Sequence, residues 1–275
     1  MQADIYALAE LCLFQANVED KIAVTHKAWL AYQTGRLDLQ PANDHSIRPI
    51  TDTAFPQHPP RVAPREVAPR KLNSEAGRIA LLHAVAHIEF TAIHLAWDIL
   101  YRFRRLPDEF RIDWLRVAEE EAQHFAMLRD RLRALGADYG ELPAHGGLWQ
   151  LAMDTGNDLL ARLALVPRCM EARGLDVTPA MIAKLEQAGD QLSADHLKII
   201  LHDEIGHVAL GSRWFHWECQ RRGLEPESAY FDLLQTHLKT QPRGPFNLEA
   251  RRAAGFSEQE LSLLHRWESL DRRPT

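Results

Sequence analysis

Cysteine is scarce in this chain of 275 residues, which contains only Cys12, Cys169 and Cys219. The three are far apart, odd in number and include no C-x-x-C pair, so a disulfide framework is not expected. The N-terminus also lacks the cationic start and apolar run of a signal peptide. Together these absences predict a reducing compartment, with the cytoplasm as the location.

Long hydrophobic runs and a dominant charge are also absent. No stretch approaches ~18 uninterrupted apolar residues, so we expect no membrane span. The 32 basic and 38 acidic residues give a net charge of −6, which provides no general attraction to nucleic acids or acidic membranes. A glycine-rich phosphate loop and a G-x-S-x-G nucleophile elbow are missing as well. The predicted partners are therefore neither membranes nor, on balance, nucleic acids.

Period-2 alternation is missing from every segment, while helical periodicity is widespread, which predicts an all-α fold. Helices are predicted within 3–35 and over about 74–105, 107–135, 148–173, 178–189 and 191–222, followed by a short helix from Pro226 and a last helix opened by the capping box Ser257/Glu260. The loop 136–147 could extend about 40 Å, long enough for a crossover along a helix bundle. We therefore expect a four-helix bundle with one crossover, with N-terminal helices before it and short C-terminal helices after it.

Proline is unevenly distributed: seven of the fifteen fall within residues 38–72. Proline fixes φ and lacks an N–H, so this segment is predicted to be extended. The expected organisation is an N-terminal helical segment (1–37), the proline-rich extended segment (38–72), the four-helix bundle (73–223) and a C-terminal helical extension (224–275).

Two four-residue motifs stand out, Glu121-Ala-Gln-His124 and Glu204-Ile-Gly-His207. They are the only places in the chain where a histidine follows a glutamate by three residues. Residues i and i+3 share a face of a helix, so each motif presents a carboxylate and an imidazole together.

Two further glutamates complete the pattern. Glu89 precedes Glu121 by 32 residues, and Glu171 precedes Glu204 by 33. Each interval would carry the chain up one helix and back down the next to a similar depth. A Glu-x-x-His motif on two helices plus a glutamate from each of two others is the ligand set of a bundle-embedded di-iron or di-manganese site.

The predicted ligands lie on apolar helix faces, where carboxylates are costly to bury unless they pair or bind metal. Two divalent cations would neutralise the four carboxylates, and oxygen-rich ligands with imidazole suit iron or manganese better than zinc or copper. The structural alternatives are that these residues lie on solvated helix faces, or that they form a buried polar network whose hydrogen bonds are all made within the protein. Glu171 is the weakest of the predicted ligands, because Pro167 and Gly174 flank it. Asp154 and Asp158 are the alternatives, and the 33-residue spacing favours Glu171 over them. The predicted metal ligands are Glu89, Glu121, His124, Glu171, Glu204 and His207.

An acidic residue precedes each motif, Glu120 and Asp203. A ligating imidazole usually donates its other N–H to a carboxylate or carbonyl, so we predict that Asp203 holds His124 and Glu120 holds His207. The alternative is that both are surface acids. The remaining histidines of the region are interpreted as hydrogen-bonded structural residues: His83, His87, His94 and His202.

Ordered motifs along nearly the whole chain resemble the DUF455 family of the ferritin-like superfamily. They are Gly77-Arg78…His83…His87-Ile-Glu89, Ala96-Trp-Asp98, Asp113-Trp114…Glu121-Ala-Gln-His124-Phe, Tyr139-Gly140…His145-Gly-Gly-Leu-Trp149, Val166-Pro-Arg168…Glu171-Ala-Arg-Gly174-Leu-Asp176, Asp203-Glu204-Ile-Gly-His207-Val and Gly244-Pro-Phe-Asn247…Ala253-Ala-Gly255-Phe. The resemblance implies a ferritin-like di-metal bundle with the six ligands named above, and it implies no substrate.

Four functions fit these expectations. The first is an O2-dependent di-iron oxidase or oxygenase that acts on an unidentified small molecule and takes electrons from a donor. The second is a ferroxidase, peroxide-consuming or iron-handling protein without an organic substrate. The third is a tRNA-base hydroxylase, by distant similarity at the level of the fold. The fourth is a non-catalytic helical scaffold. Two iron ions are the expected cofactor, with manganese or a mixed Fe/Mn pair as alternatives, and a homo-oligomer is left open.

Overall fold

The structure is a computed structural model that describes residues 2–40, 48–50, 55–63, 66, 72–238 and 241–271. The predicted extended segment 38–72 therefore lies partly outside the described residues. The described chain is mostly helical, which confirms the all-α prediction. It divides into two compact units, unit 1 (residues 1–153) and unit 2 (residues 154–275).

Unit 1 contains four helices and the start of a fifth among its described residues. The predicted helical region 3–35 consists of two helices, because Gln15–Asn17 separates them and Asn17 caps the second. A two-residue parallel strand pair, β1 (Ala3–Asp4) and β2 (Leu37–Asp38), is an addition that the sequence did not predict. The helices are α1 (Ile5–Phe14), α2 (Val18–Gln33), α3 (Glu75–Arg102), α4 (Asp108–Ala134) and α5 (Gly147–Asp154).

Helices α3 and α4 form the central pair of unit 1. The Ser74 hydroxyl caps α3 by accepting a hydrogen bond from the N–H of Gly77 at 3.1 Å. A five-residue connection then leads directly into α4, so the two helices run antiparallel and pack along their length. Pro107 is the N-cap of α4 and not its first helical residue, a one-residue shift from the prediction.

Helix α3 is mostly buried, because α1 and α4 cover it. Among the described helices it alone is long and apolar enough to cross a membrane, yet 72% of its most apolar stretch is buried within the protein. Such burial is typical of the core helix of a soluble protein, and the length alone is weak evidence for a membrane span.

Unit 2 contains the second long antiparallel pair, α7 and α8, which a three-residue turn joins. Asp190 caps α8, and Gly223 ends it in the left-handed conformation with φ 68°. The elements are α6 (Leu159–Leu165), a π-helical segment (Val166–Glu171), α7 (Ala172–Gln187), α8 (Gln191–Arg222), α9 (Pro226–His237), α10 (Leu248–Ala253) and α11 (Glu258–Asp271).

The prediction of one helix over 148–173 and another over 178–189 is wrong. The chain breaks after Asp154, restarts at Leu159 under an Asp158 cap, and then continues through Gly174 and Pro179 to Gln187. A proline inside a helix costs about 3 kcal/mol. Burial of the apolar face of α7 outweighs that cost, since each fully buried aliphatic side chain contributes roughly 1.5–3 kcal/mol. That face comprises Leu175, Ile182 and Leu185.

The C-terminal helices follow the prediction more closely. Pro226 opens α9, as predicted. The capping box of α11 is formed in both directions: Glu260 accepts from the Ser257 N–H at 2.8 Å, and the Ser257 hydroxyl accepts from the Glu260 N–H at 3.2 Å. The six-residue helix α10 was not predicted.

Candidate metal centre

The pair α3–α4 brings three predicted ligands of unit 1 together. One ligand atom from each of Glu89, Glu121 and His124 lies within 4.8 Å of the other two, and all three residues are buried. His124 Nδ1 is 3.1 Å from the Glu89 carboxylate and 3.6 Å from that of Glu121. Glu89 lies near the middle of α3, where the antiparallel return of α4 brings the Glu-x-x-His motif back to the same depth. The predicted juxtaposition within unit 1 is therefore present.

The electrostatics of this cluster favour a bound cation. Burial lowers the pKa of His124, but the neighbouring carboxylates of Glu121 and Glu89 outweigh that effect and raise the pKa to about 11. The two buried carboxylates therefore stabilise a positive charge on the imidazole between them. A divalent metal can replace the proton that carries this charge, since metal binding deprotonates its ligands. Two carboxylates and an imidazole form a donor set suited to iron or manganese, so the residues present fit such an ion.

The second motif lies on α8 in unit 2. Glu204 and His207 are both buried on one face of the helix, and His207 Nδ1 is 3.8 Å from the Glu204 carboxylate. This arrangement repeats the Glu121/His124 pair at the same helical spacing. The described part of unit 2 thus presents a carboxylate and an imidazole from a second long helix.

Glu171 is the last residue of the π-helical segment and is buried. Four residues before it, Pro167 contacts α8 so closely that a Cβ on Gly211 would lie 2.5 Å from the Pro167 Cβ. Because α7 and α8 are antiparallel, the chain from Pro167 to Glu171 runs along α8 in the direction from Gly211 toward His207. Within the described part of unit 2, the ligand atoms of Glu171, Glu204 and His207 do not form a three-residue cluster within 4.8 Å as their counterparts in unit 1 do.

The acidic residues that precede the two motifs are less enclosed. Glu120 is partly exposed, and one of its carboxylate oxygens is 3.9 Å from Nε of Arg116. Asp203 is partly exposed on α8. Their assignment to the histidines of the opposite motifs stays a prediction.

Two histidines of α3 are structural, as predicted. His83 Nε2 accepts a hydrogen bond from the N–H of Gly140 at 3.0 Å, and His87 Nδ1 is 2.9 Å from the hydroxyl of Tyr139. Burial lowers the pKa of His87 to about 4, so its imidazole is neutral at pH 7. Both rings thus hydrogen-bond the loop that follows α4 to helix α3.

His94 is structural in another way. Its imidazole is fully buried and stacks on the Phe55 ring with centroids 4.4 Å apart. Burial lowers its pKa well below the usual value, so it too is neutral. Neither ring nitrogen has a hydrogen-bond partner among the described residues, contrary to the expectation of a hydrogen-bonded residue. Phe55 lies in the proline-rich region, outside the predicted helices. Helical periodicity therefore could not predict its contact with His94.

Sequence reasoning missed the residue that anchors the π-helical segment. Arg168 is fully buried, and its guanidinium donates to both carboxylate oxygens of Glu260 at 2.9 and 3.0 Å. The sequence did offer one indication of this role: Arg168 is a charged residue in an otherwise apolar stretch, next to Pro167. Its partner is 92 residues away in the chain, and no sequence spacing indicates such a pairing.

Comparison with known proteins agrees with the resemblance in the motifs. The sequence matches the family described as "Protein of unknown function (DUF455)" over residues 14–262. A protein of Haemophilus influenzae, described as uncharacterized, is 44% identical over 219 residues, which cover 77% of this chain and 76% of that protein. No solved structure matches. Since the match spans most of the sequence, the chain belongs to the DUF455 family.

Proposed function

We propose that the protein is a di-metal carboxylate protein of the ferritin-like type whose metal is iron. The observation that carries the proposal is the buried cluster of Glu89, Glu121 and His124 on α3 and α4. Two carboxylates in an apolar interior are costly without a compensating cation. The Glu171, Glu204 and His207 set of unit 2 supports a second ion, because it repeats the same residue types at nearly the same sequence intervals, 33 residues instead of 32 between the two glutamates.

The proposed reaction is an O2-dependent oxidation or oxygenation of a small organic molecule. A pair of iron ions would supply O2 activation and redox equivalents, with an external electron donor completing each cycle. The six ligands would hold the ions, and their carboxylates would balance the cationic charge. Around the unit 1 ligands, apolar side chains exclude water: the rings of Phe90 and Phe125, each one residue beyond a ligand, lie 5.1 Å apart and are fully buried.

An enzyme is favoured over an iron-storage subunit by the material beyond the two helix pairs. Unit 1 adds α1 and α2, and unit 2 adds α9 to α11. An iron-storage subunit needs only the four-helix bundle. A substrate-binding pocket needs further elements to line it, which these additional helices can supply. Iron handling by Fe(II) and O2 or peroxide alone is the second candidate, because it would use the same buried ligands.

The first test is the metal content of the full chain, freshly purified without chelator. We expect about two iron or manganese ions per chain. Glu121→Ala and His207→Ala should each abolish stoichiometric binding. Glu109→Ala and His202→Ala are matched controls, because both side chains lie exposed on the same two helices. Purified protein that holds no transition metal, or ligand variants that bind like the controls, would overturn the proposal.

The second test separates the two candidate reactions. Anaerobic Fe(II) loading followed by mixing with O2 is monitored by absorption. New absorption bands with two Fe(II) per chain would favour O2 chemistry at a resident site. Continued turnover of added Fe(II) with O2 or peroxide would instead favour iron handling.

A further inference from the structure

The π-helical segment Val166–Glu171 is held in place by the C-terminal helices. The guanidinium of Arg168 makes its two-oxygen contact with Glu260 of α11 in full burial. Its Nε donates to the Ser212 hydroxyl at 3.1 Å, which adds an attachment to α8. One side chain of the segment is thus fixed to two separate helices.

Aromatic rings enclose the same guanidinium. It lies 4.7 Å from the ring centroid of Phe215, 4.5 Å from that of Tyr230 and 4.7 Å from that of Phe256. These rings come from α8, α9 and the turn before α11. A planar guanidinium can stack on such faces and donate in its own plane at once, which a lysine ammonium cannot do. The site is therefore built for arginine.

The backbone of the segment is held as well. The Tyr230 hydroxyl donates to the carbonyl oxygen of Arg168 at 3.1 Å. Just past Glu171, Arg251 of α10 donates to the Ala172 carbonyl at 3.4 Å and to the Asp176 carboxylate at 2.7 and 2.9 Å. The chain on both sides of Glu171 is thus bound to the C-terminal helices.

The direction of the Glu171 side chain depends on this anchorage. In a π-helix the hydrogen bonds run from i to i+5, so each turn holds more residues than an α turn. Residues three apart, such as Arg168 and Glu171, then point further from each other than in an α-helix. Fixing Arg168 in its aromatic enclosure fixes the rotation of the wide turn, and with it the direction of Glu171.

We propose that Arg168, held by Glu260 of α11, is a positioning residue that sets the metal-binding geometry of Glu171. This inference rests on the proposed di-metal function. The role of the C-terminal helical extension is then to hold one ligand-bearing segment in the geometry that a second metal ion requires.

The test is an Mn(II) titration of the full chain, with free Mn(II) measured by electron paramagnetic resonance. The key variant is the double substitution Arg168→Met with Glu260→Gln. It removes both charges together, so neither charge is left buried without its partner, which is the most destabilising way to break a buried ion pair. The amide oxygen introduced at position 260 would still accept from the N–H of Ser257. We expect a chain that still folds and melts cooperatively, with one tight Mn(II) and a second Mn(II) bound roughly 10- to 100-fold more weakly, the usual effect of losing a residue that orients a ligand.

One milder variant and a control keep the inference testable if the double variant does not fold. Tyr230→Phe removes only the hydroxyl that holds the Arg168 carbonyl, and should weaken the second Mn(II) by a few-fold. Glu258→Gln is the control on α11, because its ion pair with Arg252 is exposed, and it should bind like wild type.

The outcomes are distinct. A wild-type chain that binds no Mn(II) or Fe(II) overturns the di-metal function and this inference together. A wild-type chain that binds two ions, with folded double and Tyr230→Phe variants that bind both equally tightly, overturns the positioning role alone. Equal weakening of both ions would mark Arg168 as a general structural residue and would also overturn it.

Discussion

The two units use the same Glu-x-x-His motif on a long helix but supply the accompanying glutamate differently. In unit 1, Glu89 lies inside the regular 28-residue helix α3. In unit 2, Glu171 lies at the end of a π-helical segment between two α-helices. A regular helix places its side chains through its own hydrogen bonds, whereas a widened turn needs neighbouring elements to fix its rotation. The difference explains why unit 2 contains buried ion pairs around its glutamate.

Buried cations show the same contrast. In unit 2, Arg168 and Arg251 are each paired with a buried carboxylate and enclosed by rings. In unit 1, the buried Arg111 pairs with Asp108, whose side chain is 47% exposed. The buried ammonium of Lys21 donates to the Cys12 carbonyl at the end of α1, and no carboxylate among the described residues forms an ion pair with it. In unit 2 the charges of these buried cations are therefore compensated, whereas in unit 1 the charge of Lys21 is not compensated by an ion pair among the described residues.

The largest expected effect comes from breaking a charge pair in unit 2. Asp176→Ala leaves Arg251 buried without its carboxylate, and removing one partner of a buried pair typically costs about 3–5 kcal/mol. We expect that loss in the free energy of unfolding, measured by urea denaturation. Glu258→Gln, which breaks an exposed pair, should cost less than about 1 kcal/mol. Equal losses for the two variants would mean that the buried pair of unit 2 does not stabilise it.

A smaller effect of opposite sign is expected in unit 1. Burial lowers the pKa of Lys21 from 10.5 to about 8. At pH 7 the ammonium is charged in both states, but its charge is less stable in the folded state than in the unfolded state. That difference corresponds to about 3 kcal/mol, and the lost hydrogen bond to Cys12 offsets about 1 kcal/mol of it. Lys21→Met should therefore raise the free energy of unfolding by about 2 kcal/mol at pH 7.

The pH dependence checks the sign of that effect. Between about pH 8 and 10.5 the unfolded state binds more protons at Lys21 than the folded state, so the wild type gains stability as pH rises. The advantage of Lys21→Met should shrink over this window and vanish near its upper end. Lys27→Met, an exposed change on the same helix, should show no such trend. A Lys21→Met variant less stable than wild type at pH 7 would contradict the contrast between the units.

The sequence predicted what regular periodicity controls. The bounds of α3, α4 and α8, the antiparallel pairing in unit 1 and its cluster around Glu121 all follow from helix signals and from 3.6-residue spacing. The sequence did not predict the π-helical segment, because Pro167 indicates that the helix is distorted but does not indicate the type of distortion. It also missed the Arg168–Glu260 pair, since tertiary contacts between distant segments leave no local pattern.

The last comparison tests how closely the π-helical segment packs on α8. Gly211→Ala would place a Cβ 2.5 Å from the rigid ring of Pro167, and overpacking of this kind costs about 1–3 kcal/mol. Gly206→Ala is the matched control one and a half turns earlier on α8, where an added Cβ meets nothing within 4 Å. It should stabilise the helix by up to about 1 kcal/mol.

The two alanine variants should therefore differ in sign when their free energies of unfolding are compared. They should also differ in Mn(II) binding. Displacement of Pro167 would turn Glu171 and weaken the second ion in Gly211→Ala, whereas Gly206→Ala leaves the segment in place. If both alanines stabilised the protein alike, the segment would not be pressed against α8. Unit 2 would then need no more tertiary support for its glutamate than unit 1 does.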